Sequence, residues 1–253
     1  MRKELELFFT ALMFFTRIPC PKWITHSQEN LDNSTRYYPV MGWIVGGFAG
    51  FVFYVSNLVF PVSVSIVLSM ISSILVTGAL HEDGFSDVCD GFGGGWTKDD
   101  ILRIMKDSRI GAYGAIGLGL LFLLKFVLLS SITPGRIPFV LIAAHSFSRF
   151  ASSIFRYTHV YVRDAEQSKV KPMAQTITRR NLLISCLLGI LPIALLSSWQ
   201  AFFVIIPVIS VEIFFADYFA KRIGGYTGDC LGALQQICEI TFYLSYLGLW
   251  KFI

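Results

Sequence analysis

Charge is scarce in this sequence. Only 15% of its residues are Asp, Glu, Lys or Arg, against 54% hydrophobic, and the mean hydropathy is +0.61. That balance excludes a soluble globule and leaves an integral membrane protein. Strict alternation of apolar and polar residues is missing, which excludes an outer-membrane barrel. The five cysteines (Cys20, Cys89, Cys186, Cys230 and Cys238) form no C-x-x-C pair and are odd in number, so no disulfide framework or zinc site is implied. Cys89, beside Asp90, reads as a small packing residue. A signal peptide is not expected, because Glu4 and Glu6 interrupt the basic start and Arg17-Ile18-Pro19-Cys20 is no small-residue cleavage site. Nor does any Ser-His-Asp or Cys-His arrangement stand out, so a covalent enzyme intermediate has no evident carrier.

Long apolar segments are what the chain has instead. A spanning helix needs roughly 20 mostly apolar residues. Residues 39–60, 62–80, 111–132, 137–156, 181–198, 201–220 and 231–251 fit that description. The expectation is one all-α domain over residues 1–253, a polytopic integral membrane helical bundle of about seven spans. Only Phe60-Pro61 parts the first two segments, which leaves a re-entrant pair open there. Ahead of them, Leu5, Phe8, Phe9, Leu12 and Phe15 follow helical spacing. They give an N-terminal amphipathic helix, either lying in the membrane interface or packed as a core helix.

Charge placement orients the bundle. If the segments alternate sides, the N-terminal arm and the loops 82–110, 157–180 and 221–230 share one side. That side holds nearly all the Lys and Arg, among them Arg2, Lys3, Lys98, Lys106, Arg109, Lys169, Lys171, Arg179, Arg180, Lys221 and Arg222. The other side shows Arg136 and, at the far end, Lys251. The positive-inside rule makes the basic side cytoplasmic. The expected protein is multi-pass, with a cytoplasm-facing site. No Asp or Glu falls in the outer connections, and Glu212, Asp217 and Glu239 lie in the central or cytoplasmic parts of their segments. A charge at the bilayer centre costs at least about 2.5–3.5 kcal/mol, so such residues face a cavity or a partner. A transporter open to both faces would not show so one-sided a map.

The densest chemistry is the run His81-Glu82-Asp83-Gly84-Phe85-Ser86-Asp87-Val88-Cys89-Asp90-Gly91, with four carboxylates in nine residues directly after an apolar segment. At about 100° per residue, Asp83, Asp87 and Asp90 fall within roughly 60° of one another on a helix. Like charges that close repel, and more strongly beside a low-dielectric bilayer. Mg²⁺, a hard cation that prefers oxygen, is the expected occupant, with Glu82 as a further ligand. The plainer alternative is a solvated acidic helix start at the positive end of the helix dipole. Gly91-Phe92-Gly93-Gly94-Gly95 is expected to end the helix in a phosphate-compatible loop. His81 reads either as an acid-base group or as an interfacial helix cap.

Two further runs supply the opposite charge. Lys106-Asp107-Ser108-Arg109-Ile110-Gly111 precedes the third segment. Lys106 and Arg109, three apart, would share a helix face and offer a point charge and a planar fork to phosphate oxygens. Gly224-Gly225-Tyr226-Thr227-Gly228-Asp229 leads into the last segment. Gly225, Thr227 and Gly228 suggest backbone N–H groups near a helix start, an anion site. Asp229 is either a further metal ligand or a helix cap. Gln235 and Glu239 would share a face and suit interhelical hydrogen bonds. Arg149, inside a span, needs an acid or a phosphate, and Asp217 or a substrate phosphate would serve. Lys125 is expected to snorkel toward the outer leaflet. Carboxylates for Mg²⁺, cations for phosphate and glycine loops are what phosphoryl or nucleotidyl-phosphate transfer requires.

At these residues the chain resembles the cobalamin synthase, or adenosylcobinamide-GDP ribazoletransferase, family. The resemblance passes through Phe15-Thr16-Arg17-Ile18-Pro19, Tyr38-Pro39-Val40-Met41-Gly42, the H-x-D-G-x-x-D-x-x-D-G run at 81–91, Met105-Lys106-Asp107-Ser108-Arg109-Ile110-Gly111, Ser148-Arg149 and Gly224-Gly225-Tyr226-Thr227-Gly228-Asp229. It implies a multi-pass, Mg²⁺-dependent enzyme of cobalamin biosynthesis. Such an enzyme joins adenosylcobinamide-GDP to α-ribazole or its 5′-phosphate, gives adenosylcobalamin or its 5′-phosphate, and releases GMP. On that reading Asp83, Asp87 and Asp90 hold Mg²⁺ on the diphosphate. Lys106 and Arg109, with Arg149, offset charge on departing GMP, and the ribazole 5′-oxygen attacks directly. A carboxylate or His81 is the base. The expected partners are the two substrates, the lipid bilayer, and a second copy or other corrinoid-pathway enzymes, with no nucleic acid. The nearest rival is a CDP-alcohol-type membrane phosphotransferase acting on a lipid alcohol, but that family is marked by an Ala-Arg pair where this chain has Ser86-Asp87.

Overall fold

A computed structural model describes residues 2–21, 23–24, 27–162 and 177–250. Lys169, Lys171 and Lys251 of the charge map lie outside the described residues. The helices are α1 (Arg2–Phe15), α2 (Gln28–Ser34), α3 (Tyr38–Ser56), α4 (Val62–Thr77), α5 (Leu80–Gly94), α6 (Lys98–Ile104), α7 (Ala112–Ser130), α8 (Ile137–Thr158), α9 (Arg179–Ile190), α10 (Ile205–Ile223) and α11 (Gly228–Trp250). Among the described residues there is no strand, only an isolated bridge between Tyr161 and Tyr226. That bridge ties the exit of α8 to the entry of α11, with Val162 N–H donating to Tyr226 O at 3.0 Å and Tyr226 N–H to Val160 O at 3.0 Å.

The polar and apolar faces are the reverse of those of a soluble bundle. Phe51, Leu75, Ile116, Leu120, Leu187, Ile213 and Phe214 point outward, whereas His145, Arg149, Gln235, Gln236 and Glu239 are buried. An apolar exterior around a polar interior suits lipid as the solvent. At the centre run α8 and α11. Gly42, Gly46 and Gly50 form a stripe on α3 that lets its backbone lie against α8. A Cβ at Gly46 would stand 2.6 Å from Leu141 O, and one at Gly42 would stand 2.6 Å from Ser146 Cα. Gly46→Ala is therefore expected to force the two helices apart at a cost of about 1–3 kcal/mol or more. A lowered unfolding midpoint in detergent would show this.

Among the described residues, five helical stretches are long and apolar enough to cross a membrane: Gln28–Ser56, Ala112–Ser130, Pro134–Thr158, Arg179–Leu196 and Trp199–Ile223. A sixth arises if the pair Val62–Thr77 and Leu80–Gly94 counts as one broken span, bent by 90°. Length and composition thus pick out five or six of the seven expected segments. The first two expected segments are separate helices. The sharp break comes one element later, where Gly78 (φ 65°) and Ala79 (φ 60°) both take the left-handed conformation. The last expected span, α11, is helical, but Gln235, Gln236 and Glu239 make it too polar to qualify. It is a core helix, buried along most of its length.

The amphipathic first helix packs on the bundle. Leu7, Ala11, Leu12 and Phe15 are buried, and the Phe15 ring stacks on Tyr38 at 4.2 Å. The buried stripe is rotated from the expected one, and Leu5 stays exposed. Arg36 reaches Glu4 at 3.5 Å and Lys3 reaches Glu29 at 3.5 Å, fastening α1 to the segment around α2.

Candidate functional site

The acidic run forms α5, and its four carboxylates part into three environments. Asp83 is exposed on the first turn, where its N–H donates to Ala79 O at 2.9 Å. Asp87 is half-buried one turn further on. Asp90 is also half-buried, and it accepts from Gly111 N–H at 2.7 Å and Gly114 N–H at 2.8 Å. Its charge therefore sits at the positive end of α7. Glu82 is buried on a different side and accepts from Gln236 Nε2 at 3.1 Å.

The expected glycine loop does not follow Gly91. Helix α5 continues through Gly91, Phe92, Gly93 and Gly94 and ends at Gly95, whose conformation is extended. Tertiary contact overrides the low helix propensity of glycine here. Met105 lies over Gly91 and the Tyr113 ring over Gly93, where a side chain would not fit.

Lys106 and Arg109 do not share a helix face. Helix α6 ends at Ile104, and both residues lie exposed in the following loop. Asp107 explains the stop. Its Oδ1 accepts from Arg109 N–H at 3.1 Å, and its carboxylate pairs with the guanidinium at 2.7 Å. This local alternative competes with the helix. An exposed pair of this kind contributes roughly 0–1 kcal/mol, so the fork can be exchanged for a phosphate at little cost. The loop is pinned beside α5 through the Asp90–Gly111 bond.

The Gly224–Asp229 turn reaches the other end of α5, near its first turn. A Cβ on Gly84 would lie 2.9 Å from both Asp229 Cα and Asp229 O, so α5 and the start of α11 touch backbone to backbone. Thr227 is buried, and its hydroxyl accepts from Cys230 N–H at 3.3 Å, capping α11. Gly225 is buried and Gly228 half-buried. Asp229, half-buried in the first turn of α11, comes close to the acidic helix.

Three expected residues turn inward. His81 is buried, 2.8 Å from the Tyr38 hydroxyl through Nε2, so it is not an interfacial cap. Arg149 does not meet Asp217, which is exposed and pairs with Lys221. Its guanidinium donates to His145 O at 2.8 Å and lies over the Tyr38 ring at 5.8 Å. Lys125 does not snorkel, being buried and 2.8 Å from Glu239. Lys125 borders a narrow cleft lined among others by Ser69, Glu82, Phe122, His145 and Glu239. Gln236, His145 and Tyr243 escaped the sequence reading, and Tyr38 entered it only as part of a motif. The one signal for them was polar residues at helical spacing inside apolar segments.

Asp83 and Asp87 offer hard oxygen donors one turn apart, with Asp229 at the same end, which suits Mg²⁺. Among the described residues no group of three His, Cys, Asp or Glu stands ready to enclose a metal. The expected set of Asp83, Asp87, Asp90, Glu82 and Asp229 is thus not gathered into one cluster; Mg²⁺ itself usually takes one or two carboxylates, with water and substrate phosphate completing its octahedron.

The sequence profile described as cobalamin-5-phosphate synthase matches residues 7–247. Among curated proteins, the adenosylcobinamide-GDP ribazoletransferase of Shewanella frigidimarina is 45% identical over 97% of this chain and 95% of its own length. The protein of the same name from Shewanella oneidensis is 43% identical over 97% of this chain and 95% of its own. That of Shewanella woodyi is 42% identical over 98% of each. No solved structure matches the chain. A match over nearly the whole chain places this chain in the cobalamin-5-phosphate synthase family.

Proposed function

We propose that this membrane enzyme carries out the closing step of cobalamin assembly, joining adenosylcobinamide-GDP to α-ribazole or its 5′-phosphate with release of GMP. The observation that carries the reading is the similarity, along almost the full chain, to transferases named for this reaction. The site lies on the cytoplasmic face of the inner membrane, as the Lys and Arg distribution supports. Its partners are the two substrates, the bilayer and, at the cytoplasmic surface, a second copy or other corrinoid-pathway enzymes.

Asp83 and Asp87 would hold Mg²⁺, with Asp229 close by. When bound, the metal would neutralise diphosphate charge and polarise the phosphorus under attack. Lys106 and Arg109 bind the phosphates of the guanosine half, Arg109 exchanging Asp107 for a phosphate oxygen. In the reaction a ribose hydroxyl oxygen bonds to the phosphorus attached to the corrinoid. The bond from that phosphorus to the bridging oxygen breaks, and GMP leaves with the bridging oxygen. The hydroxyl proton passes to a carboxylate. His81 is not well placed to take it, because it is buried and bonded to Tyr38. The family description names a 5-phosphate product. A 5′-oxygen that carries phosphate is blocked as a nucleophile, so a different ribose hydroxyl attacks in place of the 5′-oxygen expected from the sequence.

Purified enzyme given adenosylcobinamide-GDP, α-ribazole 5′-phosphate and Mg²⁺ is expected to release GMP, to stop on addition of EDTA and to restart with excess Mg²⁺. CMP release from a CDP-activated lipid, without GMP release from the corrinoid, would overturn the reading in favour of the lipid phosphotransferase.

A further inference from the structure

Helix α5 has an orientation problem. It follows a 90° break made by two left-handed residues, so α4 does not dictate its rotation about its own axis. At about 100° per residue, a modest roll of the helix would carry Asp83 and Asp87 off the outward face. Two carboxylates of the run hold α5 from opposite ends. Asp90 is clasped by the amides that start α7. Glu82, next to Asp83 in sequence, is held inward by Gln236.

What fixes Gln236 is a chain of buried groups with only one consistent polarity. Glu239 accepts from Lys125 at 2.8 Å through Oε1, and also from Tyr243 at 3.1 Å and Gln235 at 2.8 Å. The Lys125 ammonium donates a second bond, of 2.6 Å, to Gln236 Oε1. Lysine has no acceptor, so the carbonyl of the Gln236 amide must face it and the NH₂ must face away. That NH₂ then meets Glu82 Oε1 at 3.1 Å and Gln235 Oε1 at 2.9 Å. All these side chains are buried. In a low-dielectric interior a reversed amide would leave buried groups unsatisfied, which is costly.

We propose that Glu82 aims the site rather than binding metal in it, and that Gln236, oriented by Lys125 and Glu239, is a positioning residue for Asp83 and Asp87. The inference rests on the metal reading above. It can be tested by titrating the detergent-purified protein with Mn²⁺, without substrates, and following free Mn²⁺ by EPR, alongside thermal unfolding. Supporting groups behind a ligand typically change metal affinity about 10–100-fold. Gln236→Leu and Glu82→Leu are each expected to weaken Mn²⁺ binding by that order. Glu82→Gln, whose amide oxygen can still accept from Gln236, should stay close to wild type. Turnover at saturating Mg²⁺ should fall much less than Mn²⁺ affinity. Two outcomes overturn the proposal: Glu82→Gln as damaging as Glu82→Leu while Gln236→Leu is silent, which makes Glu82 a ligand, or lowered unfolding midpoints with unchanged Mn²⁺ binding. Wild-type protein that binds no Mn²⁺ refutes the metal reading itself, and this inference with it.

Discussion

Asp83→Asn is expected to lower turnover by on the order of a hundred- to a thousand-fold, the range that loss of one well-placed electrostatic group commonly costs. Membrane insertion and unfolding temperature should stay the same. Asp83 is exposed, and its backbone bond to Ala79 survives the change. The substitution removes a charge without changing shape, so its whole effect falls on whatever the carboxylate binds. Raising Mg²⁺ should recover part of the lost rate if Asp87 keeps its hold on the ion. GMP release close to wild type would sink the assignment of this face as the diphosphate site. A loss accompanied by misfolding would mean that Asp83 is structural.

The second large effect falls on stability. Lys125→Met leaves Glu239 buried with its ion-pair partner gone, and breaking a buried pair in this way costs about 3–5 kcal/mol. Both side chains are almost fully enclosed, at 7% and 2% exposure. The unfolding midpoint in detergent should drop sharply. The double variant with Glu239→Met should regain much of the loss, because well-packed apolar residues often replace a buried pair without penalty. A single variant as stable as the wild type would show that water already reaches Glu239 through the neighbouring cleft.

The sequence made some of this legible, and the reason differs from element to element. Apolar segments became helices because a membrane leaves few other ways to satisfy the backbone. The shared face of Asp83 and Asp87 followed from helical spacing alone, and α5 is helical throughout. The sharp turn before it could not be read. Gly78 is an ordinary helix stop, but Ala79 in the left-handed region bears a Cβ penalty that only its surroundings sustain. Lys106 and Arg109 misled because spacing shows which residues share a face only while the helix lasts, and Asp107 offers the backbone another bond. Lys125 looked like a lone charge near lipid. Its partners sit more than a hundred residues away on α11, a distance that no local pattern spans.

The right-angle bend between α4 and α5 has one further consequence on the proposed function. The interior cleft has room for little more than a water molecule, far too little for a corrinoid. A helix set at a right angle to α4, with Asp83 exposed, would spare so large a ring any need to enter the bundle. The membrane would then serve as a workbench: only the diphosphate link would be brought to the tool, the bulk of both reactants staying in water. An enzyme arranged in this way does not have to fit its substrates' size, only the short stretch of them that is cut and rejoined.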